Sequence, residues 1–227
     1  MNRRALSKKA IRTPQFPKHE LEKGLPEATI QPHAYYAQLT LSHDDLSEQQ
    51  AEHVSFDQLF FQSVHFSNTR FHQLQLLDCR LIGCDLANAE WTGASLSRVE
   101  LIDCHLTGLQ WTEARFQDVV LKGCHGSFTQ FALSICKGIR FEDCDLSEAN
   151  FLDIDLSGAT FVRCNLHNAD LTGTKLVGVD LRSSQIDGAR VGLQELKGAT
   201  IDSNQALAFV RSLGIEVTAP LEHYERM

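Results

Sequence analysis

The stretch Cys164-Asn165-Leu166-His167-Asn168 is followed directly by Ala169-Asp170-Leu171-Thr172-Gly173, and both units of five residues have the same pattern. Each begins with a small residue, continues with Asn or Asp and then leucine, and ends with two less restricted positions. A period of five fits neither an α-helix, with about 3.6 residues per turn, nor a β-strand, with about two. A short fixed period predicts a solenoid, in which each unit buries its apolar residue against its neighbours.

The large apolar residue, the anchor of each unit, recurs at every fifth position from Leu41 to Ile201, and only Ala51, Gly126 and Cys136 depart from this rule. Two residues before the anchor, alanine or cysteine predominates, which leaves room for the anchor in a closely packed interior. Two residues after it, glycine or a short polar residue predicts a turn in every unit. We therefore expect the anchors to converge on one axis and the charged residues to form the exterior.

These units resemble the pentapeptide-repeat family over about seven-tenths of the chain. The resemblance implies an all-β solenoid, a right-handed quadrilateral β-helix with four units per coil. Columns of like residues at intervals of twenty support this coil length independently. At ~4.8 Å per coil, about eight coils would form a rod roughly 40 Å long. One column has a run of five cysteines, namely Cys84, Cys104, Cys124, Cys144 and Cys164. Another has a run of five aromatic residues, namely Phe71, Trp91, Trp111, Phe131 and Phe151.

The chain divides into three parts. Residues 1–35 are basic and contain prolines, which predicts a flexible N-terminal arm. Residues 36–201 are expected to form the β-helix. Residues 202–227 are expected to form a cap, because a solenoid needs its open end covered.

The cap is predicted to be a short α-helix over 205–213, with Asp202 or Ser203 as its N-cap and Gly214 as its stop. A last strand over 215–217 would follow. An apolar surface larger than the cap requires would also serve a twofold dimer. The residues assigned to this cap and dimer surface are Leu207, Val210, Leu213 and Ile215.

Charge is distributed unevenly along the chain. Residues 1–40 carry seven Lys or Arg against three acids, whereas residues 41–201 carry twelve against twenty-two. An acidic rod repels nucleic acid and attracts proteins that bind nucleic acid, although mild acidity also serves solubility alone. The acidic partner-binding face is assigned to Asp143, Asp145, Asp153 and Asp155.

No sequence motif indicates an enzyme or a cofactor. The chain has no G-x-S-x-G, P-loop, G-x-G-x-x-G or H-E-x-x-H motif. Stacked cysteines point in parallel and do not surround an ion, so buried reduced thiols are favoured over a metal site. For the outward histidine and aspartate column, a solvated polar ladder is favoured over a shared ion: His65, Asp85, His105, His125 and Asp145.

Localisation is predicted to be cytoplasmic. No apolar run approaches the ~20 residues that span a bilayer, so no membrane association is expected. Residues 1–12 are basic but have no apolar segment of the kind found in secretory signals.

The C-terminal tail adds a narrower resemblance. Leu196-Lys197-Gly198-Ala199-Thr200-Ile201, then Gln205 and Leu213-Gly214-Ile215-Glu216-Val217, is similar to the ending of the Qnr quinolone-resistance proteins and related toxin-immunity proteins. That resemblance implies a homodimer through the C-terminal helix, mimicry of duplex DNA, and DNA gyrase or topoisomerase IV as partner. A structural or interaction scaffold with another protein partner is the alternative; an enzyme or metal-binding protein is disfavoured.

One stretch of the rod is irregular. Gly126 occupies an anchor position and would leave a hole unless Phe128 turns inward, so a local bulge that repacks the core is favoured. The alternative is an exposed apolar patch of Phe128, Leu133 and Ile135 that contacts a partner. No insertion breaks the repeat, in contrast to the loops of many Qnr proteins.

Replacing a stacked aromatic anchor tests the inward orientation. Trp111→Ala or Phe151→Ala should lower the free energy of unfolding by ~3–5 kcal/mol, because a buried aromatic is lost. Asp187→Asn, on the solvated side, should leave it nearly unchanged. Denaturant unfolding measures both, and small, similar effects would contradict an inward orientation of the anchors.

Overall fold

The structure, a computed structural model, describes residues 10–25, 27 and 29–218. It is a β-solenoid of short parallel strands, eleven of them in one sheet, with β4 and β7 in a second. The strands are β1 (Glu22–Lys23), β2 (Tyr35–Ala37), β3 (Leu39–Ser42), β4 (Gln50–Glu52), β5 (Ser55–Asp57), β6 (Phe60–Gln62), β7 (Arg70–His72), β8 (Gln75–Leu77), β9 (Arg80–Ile82), β10 (Ser95–Ile102), β11 (Arg115–Lys122), β12 (Ile135–Glu142) and β13 (Thr160–Val162).

Residues twenty apart are hydrogen-bonded neighbours throughout the rod. Ser95 pairs with Arg115, and Arg115 pairs in turn with Ile135. Seven successive links of this kind join Tyr35 to Lys175. The regular part therefore has about seven turns, close to the predicted eight, and the predicted solenoid is confirmed.

Each coil has four sides of one pentapeptide, and stacking turns each side into a flat face. Face 1 consists of residues 44–48 and the pentapeptides twenty residues apart up to 184–188. Face 2 begins at 49–53, face 3 at 54–58 and face 4 at 39–43, with the same spacing. In each regular unit the small residue and the anchor point inward, and the other three residues point outward.

The last residue of nearly every unit turns the corner with a left-handed backbone; Ser183 and Leu193 are exceptions. Asn88, for example, has φ +55°, and Gly108, which stacks on it, has φ +71°. A Cβ atom at Gly108 would lie 2.6 Å from Asn88 Oδ1. Glycine at this position thus relieves both the backbone strain and the close approach of the preceding coil.

The aromatic column predicted at intervals of twenty is confirmed. The ring centroids of Phe71 and Trp91 lie 6.2 Å apart, and those of Trp111 and Phe131 lie 5.6 Å apart. Phe131 and Phe151 stack in parallel at 4.9 Å. All five rings are buried, so the column forms one wall of the core.

The C-terminal end is closed by helix α1 (Ser203–Ser212). Asp202, one of the two N-caps that the sequence allows, caps the helix through a capping box with Gln205. The Gln205 side chain also donates hydrogen bonds to the backbone oxygens of Leu181 (2.9 Å) and Ser184 (2.7 Å), which fixes the helix on the last coil. No helix in the described residues is both long and apolar enough to cross a bilayer.

At this end the anchors still pack against the core, but the expected last strand is absent. The last four anchors are only partly buried, because no further coil stacks on them; they are Ile186, Val191, Leu196 and Ile201. Residues 215–217 form no strand, because no neighbouring strand is available to pair with them.

The flexible-arm expectation fails for residues 10–25, which lie against the rod. β1 pairs with β3, and the Arg12 guanidinium contacts Asp118. The charge and prolines of this segment suggested disorder, but its polar partners are visible only in the folded rod. The rest of the predicted arm at 1–9, and the tail at 219–227, lie outside the described residues.

Among the side chains that the structure describes, one buried polar atom of the core lacks a hydrogen-bond partner. Trp91 Nε1 donates to the Thr69 hydroxyl at 3.0 Å, and that hydroxyl donates to the Phe66 backbone oxygen at 2.7 Å. One coil later, Trp111 Nε1 is buried and has no hydrogen-bond partner among the described residues. Ala89 occupies the place that corresponds to Thr69 and has no side-chain acceptor.

Ala89→Thr should therefore supply the missing acceptor. We expect it to be more stable than Ala89→Val, which has the same shape without the hydroxyl, by about 1 kcal/mol. Denaturant unfolding of the two variants measures the difference. Equal stabilities would mean that the Trp111 indole already has a partner.

Candidate interaction surface

The negative charge of the rod is concentrated on adjacent faces. Face 1 carries seven acids and no Lys or Arg, and face 2 carries five acids and two Arg. Faces 3 and 4 each carry five acids and five Lys or Arg within residues 41–201, so they are neutral. The acids of face 1 are Asp44, Asp45, Glu48, Asp85, Asp145, Glu148 and Asp187.

Five acids of faces 3 and 4 are paired with cations twenty residues away, on a neighbouring coil: Asp78, Glu100, Glu142, Asp143 and Asp155. Arg80 Nε lies 2.6 Å from Glu100 Oε2, and Lys122 Nζ lies 3.6 Å from Glu142 Oε1. Each of these pairs joins residues twenty apart, so opposite charges stack along the rod. Neighbouring coils thereby neutralise these two faces locally.

The carboxylates of face 1 are held by local hydrogen bonds. Two hydrogen bonds from Ser47 lower the pKa of Asp45. Burial opposes the ionisation of Asp145, but hydrogen bonds from Ser147, Ser127 and Asn165 outweigh it and lower the pKa of that carboxyl. Both carboxyls are therefore ionised at neutral pH and fixed against the backbone.

Histidines separate the carboxylates along face 1. His65 Nδ1 lies 4.0 Å from Asp85 Oδ2, and His105 Nδ1 lies 3.7 Å from Asp85 Oδ1. Both imidazoles are more than half exposed. In the part of the chain that the structure describes, no three His, Cys, Asp or Glu side chains converge to hold a metal ion.

The four aspartates assigned to one acidic face do not share a face. Asp143 and Asp145 are ten residues from Asp153 and Asp155, which is half a coil, so the two pairs lie on opposite sides of the rod. Only Asp145 belongs to face 1. The sequence interpretation grouped them by proximity along the chain, although neighbours across the rod are twenty residues apart.

Two of these four aspartates are also neutralised by cations. Asp143 accepts hydrogen bonds from Arg163 Nε and Nη2 at 2.6 and 2.7 Å, and this guanidinium lowers the pKa of Asp143. Asp155 Oδ2 lies 3.5 Å from Lys175 Nζ. These two side chains therefore add little net charge to a binding surface.

The apolar residues Phe128, Leu133 and Ile135 are exposed by 55, 52 and 50 %. The favoured bulge is wrong: pairing at intervals of twenty continues through this stretch, and Phe128 does not turn inward. The Leu146 side chain and the Thr129 hydroxyl occupy the space beside Gly126 instead, at 3.3 and 3.1 Å from where its Cβ would lie.

Two of these apolar residues are held in a strained backbone. Phe128 has φ +62° and Leu133 has φ +59°, a conformation unfavourable for large side chains. Both lie at corners of face 2, and their stacked neighbours there are Glu148 beside Phe128, and Glu113 and Asp153 beside Leu133. The result is an apolar site bordered by acids next to face 1.

The predicted dimer surface on α1 is only partly covered. Leu207 and Val210 are partly buried, whereas Leu213 and Ile215, just beyond the helix, are exposed by 51 and 52 %. An apolar side of the cap therefore remains open to solvent.

The cysteines are all free; six are buried, and Cys136 is partly buried. Burial raises the pKa of the Cys79 thiol to about 12. Cys104 Sγ contacts the Leu81 backbone oxygen at 3.5 Å. These contacts agree with small, neutral core residues.

The concentration of charge on face 1 escaped the sequence interpretation. The signal was present, because sorting residues by their position in a twenty-residue coil separates face 1 from the rest. The charge totals over residues 41–201 combine all four faces and therefore hide the difference between face 1 and the others.

The chain matches the family model described as pentapeptide repeats, in eight copies, over residues 75–108, 127–161 and 164–191. A comparison with curated proteins finds no match.

Among solved structures, the chain is similar to a trypsin-treated variant of QnrB1, a plasmid-mediated fluoroquinolone resistance protein. The identity is 17 % over 87 % of this chain and 96 % of that one, with a TM-score of 0.32. It is also similar to HetL, a pentapeptide repeat protein involved in heterocyst differentiation regulation in the cyanobacterium Nostoc. Here the identity is 20 %, the coverage 78 and 93 %, and the TM-score 0.32. At these identities and TM-scores the likeness carries no conclusion about this chain.

Phe128→Asn tests whether the apolar site is held at a cost in stability. Asn tolerates the left-handed backbone better than Phe, so the free energy of unfolding should stay equal or rise by up to about 1 kcal/mol. Phe131→Asn, at a buried anchor, is the control and should be strongly destabilising. If Phe128→Asn is also strongly destabilising by denaturant unfolding, Phe128 belongs to the core.

Proposed function

Because this chain is a pentapeptide-repeat protein, we propose that it is a non-enzymatic binding rod whose face 1 receives the basic surface of another protein. The observation that carries this proposal is the charge of face 1, with seven acids and no Lys or Arg. Asp45, Asp85 and Asp145 form one column of this face, and the fixed carboxylates of Asp45 and Asp145 attract a cationic partner without reordering of their side chains.

The proposed partner is a type II topoisomerase, DNA gyrase or topoisomerase IV, bound by mimicry of duplex DNA. A protein surface that binds DNA is cationic and elongated, and face 1 is its anionic counterpart. Seven charges over about 34 Å give one charge per roughly 5 Å, whereas duplex DNA has one per about 1.7 Å. Charge alone is therefore a weaker attraction than DNA itself offers, and contacts of other kinds must add to it.

The second candidate is a scaffold for a different protein partner. Exposed Phe128 and Leu133 favour it, because a DNA mimic has no need of large apolar residues in a strained backbone. The two candidates differ in their salt dependence: binding through face 1 weakens with salt, and binding through the apolar site does so much less.

We further propose that two copies associate through the cap. Leu213 and Ile215 offer exposed apolar area beside α1, and a twofold axis there would join two rods end to end. The rod itself is not expected to bind nucleic acid, a membrane or a cofactor, and a cytoplasmic location is proposed.

Charge neutralisation on face 1 is the direct test. Asp45→Asn, Asp85→Asn and Asp145→Asn together remove three charges from one column of that face. We expect binding to gyrase, measured at low salt, to weaken by about 10- to 100-fold, and protection from a quinolone in a supercoiling assay to fall in parallel.

The matched control is Asp57→Asn, Asp103→Asn and Asp155→Asn, which makes the same charge change on faces 3 and 4. It should change binding by less than about threefold. Absence of binding, protection and any effect on supercoiling at micromolar protein would eliminate the topoisomerase. Binding that survives the face 1 changes but is lost in Phe128→Asn with Leu133→Asn would favour the scaffold.

A further inference from the structure

Residues 10–20, here called the strap, run along the corner between faces 3 and 4, away from face 1. The strap crosses successive coils at residues that end each unit of face 3. Gln58 Nε2 donates to the Gln15 backbone oxygen at 2.9 Å, and the Gln15 N–H donates to Asp78 Oδ1 at 2.9 Å. Further toward the N-terminus, Arg12 reaches Asp118, two coils beyond Asp78.

Three charged residues line the corner beneath the strap. Arg98 donates to both oxygens of Asp78, at 2.6 Å from Nε and 2.5 Å from Nη2. Asp118 is the next residue in the same column, and its side chain is only 5 % exposed. Asp143, at the equivalent corner of face 4, is 41 % exposed, so a corner carboxylate is not buried by the coil alone.

Arg12 supplies the cation for this covered carboxylate. Its Nε and Nη2 each lie 2.6 Å from Asp118 Oδ2, while half of its own side chain remains exposed. Two ring side chains accompany the ion pair: Pro14 is buried, and the Arg80 guanidinium makes a cation–π contact at 5.7 Å from the centre of the Phe16 ring. The corner thus contacts four groups of one extended segment: an arginine side chain, a backbone N–H and two ring side chains.

The column offers no further side chain beyond Asp118. The next residues at this corner are Gly138, Gly158, Gly178 and Gly198. Arg12 therefore pairs with the last polar side chain of this corner, and the side-chain contacts that the corner can offer an extended segment end there.

The strap is attached differently from the coils. In the described residues, no backbone-to-backbone hydrogen bond joins residues 10–20 to the rod. The first such bonds are from Glu22 N to the Gln38 oxygen at 3.1 Å and from Gly24 N to the Thr40 oxygen at 2.9 Å. Every coil, by contrast, is bonded to its neighbours through the backbone, so the strap is released more readily than any coil.

We propose that the corner of Gln58, Asp78, Arg98 and Asp118 is a binding site for an extended, arginine-containing peptide, and that the strap occupies it reversibly in cis. When the strap leaves, Asp118 loses its cation, and an arginine segment of another chain can take its place. The attached strap competes strongly, since its local concentration is on the order of millimolar.

A full-length variant with a weakened strap tests this proposal. Arg12→Glu with Phe16→Ser places like charges together at Asp118 and removes the ring contact. We expect faster hydrogen exchange over residues 10–20 than in the unchanged protein. A fluorescent peptide of residues 10–21 should bind this variant at least about tenfold more tightly than the unchanged protein.

Two controls make the result specific. Lys18→Glu makes the same charge change at an exposed strap residue and should leave both measurements unchanged. Adding Asp118→Asn to the weakened-strap variant should abolish peptide binding. Equal peptide binding by all proteins, no binding by any, or loss of the β-sheet circular dichroism signal in the weakened-strap variant would overturn the proposal.

Discussion

Stacking at an interval of twenty residues is the constraint on which the rest of this structure depends. Each coil donates and accepts backbone hydrogen bonds to its neighbours, as from His105 N to the Cys84 oxygen at 2.9 Å and from Leu106 N to the His125 oxygen at 2.7 Å. The spacing is fixed, so a side chain's environment is set by the residues twenty before and twenty after it. The interior accepts only small residues and anchors that fit this stack.

The same constraint organises the exterior. Opposite charges twenty residues apart neutralise faces 3 and 4, whereas face 1 has carboxylates, histidines and small polar residues but no Lys or Arg. Most corners have a left-handed residue, so Phe128 and Leu133 share the backbone of the other corners and differ from them only in their large apolar side chains. The rod thus acquires distinct surfaces through composition alone.

The two ends and the outer corner show what the repeat does not specify. At the C-terminal end, α1 covers a coil whose anchors stay partly exposed, and Gln205 fixes it by two hydrogen bonds. At the corner of faces 3 and 4, Asp78 and Asp118 are covered by a segment that does not belong to the repeat. Both additions attach to polar groups of the coils: α1 through the Gln205 side chain, and the N-terminal segment through the Arg12 side chain and the Gln15 backbone.

The sequence alone determined the coil, because a five-residue period and the columns at twenty leave one arrangement that buries the anchors. It also determined the aromatic column, a turn after the anchor of each unit and an N-cap of α1 at Asp202 or Ser203, all of which follow from local spacing. Only the tertiary structure decided that Asp143 and Asp153 lie on opposite sides, that Leu146 and Thr129 occupy the space beside Gly126, and that residues 10–25 lie against the rod. These depend on contacts between residues far apart in the chain, such as Arg12 with Asp118, which no periodicity encodes.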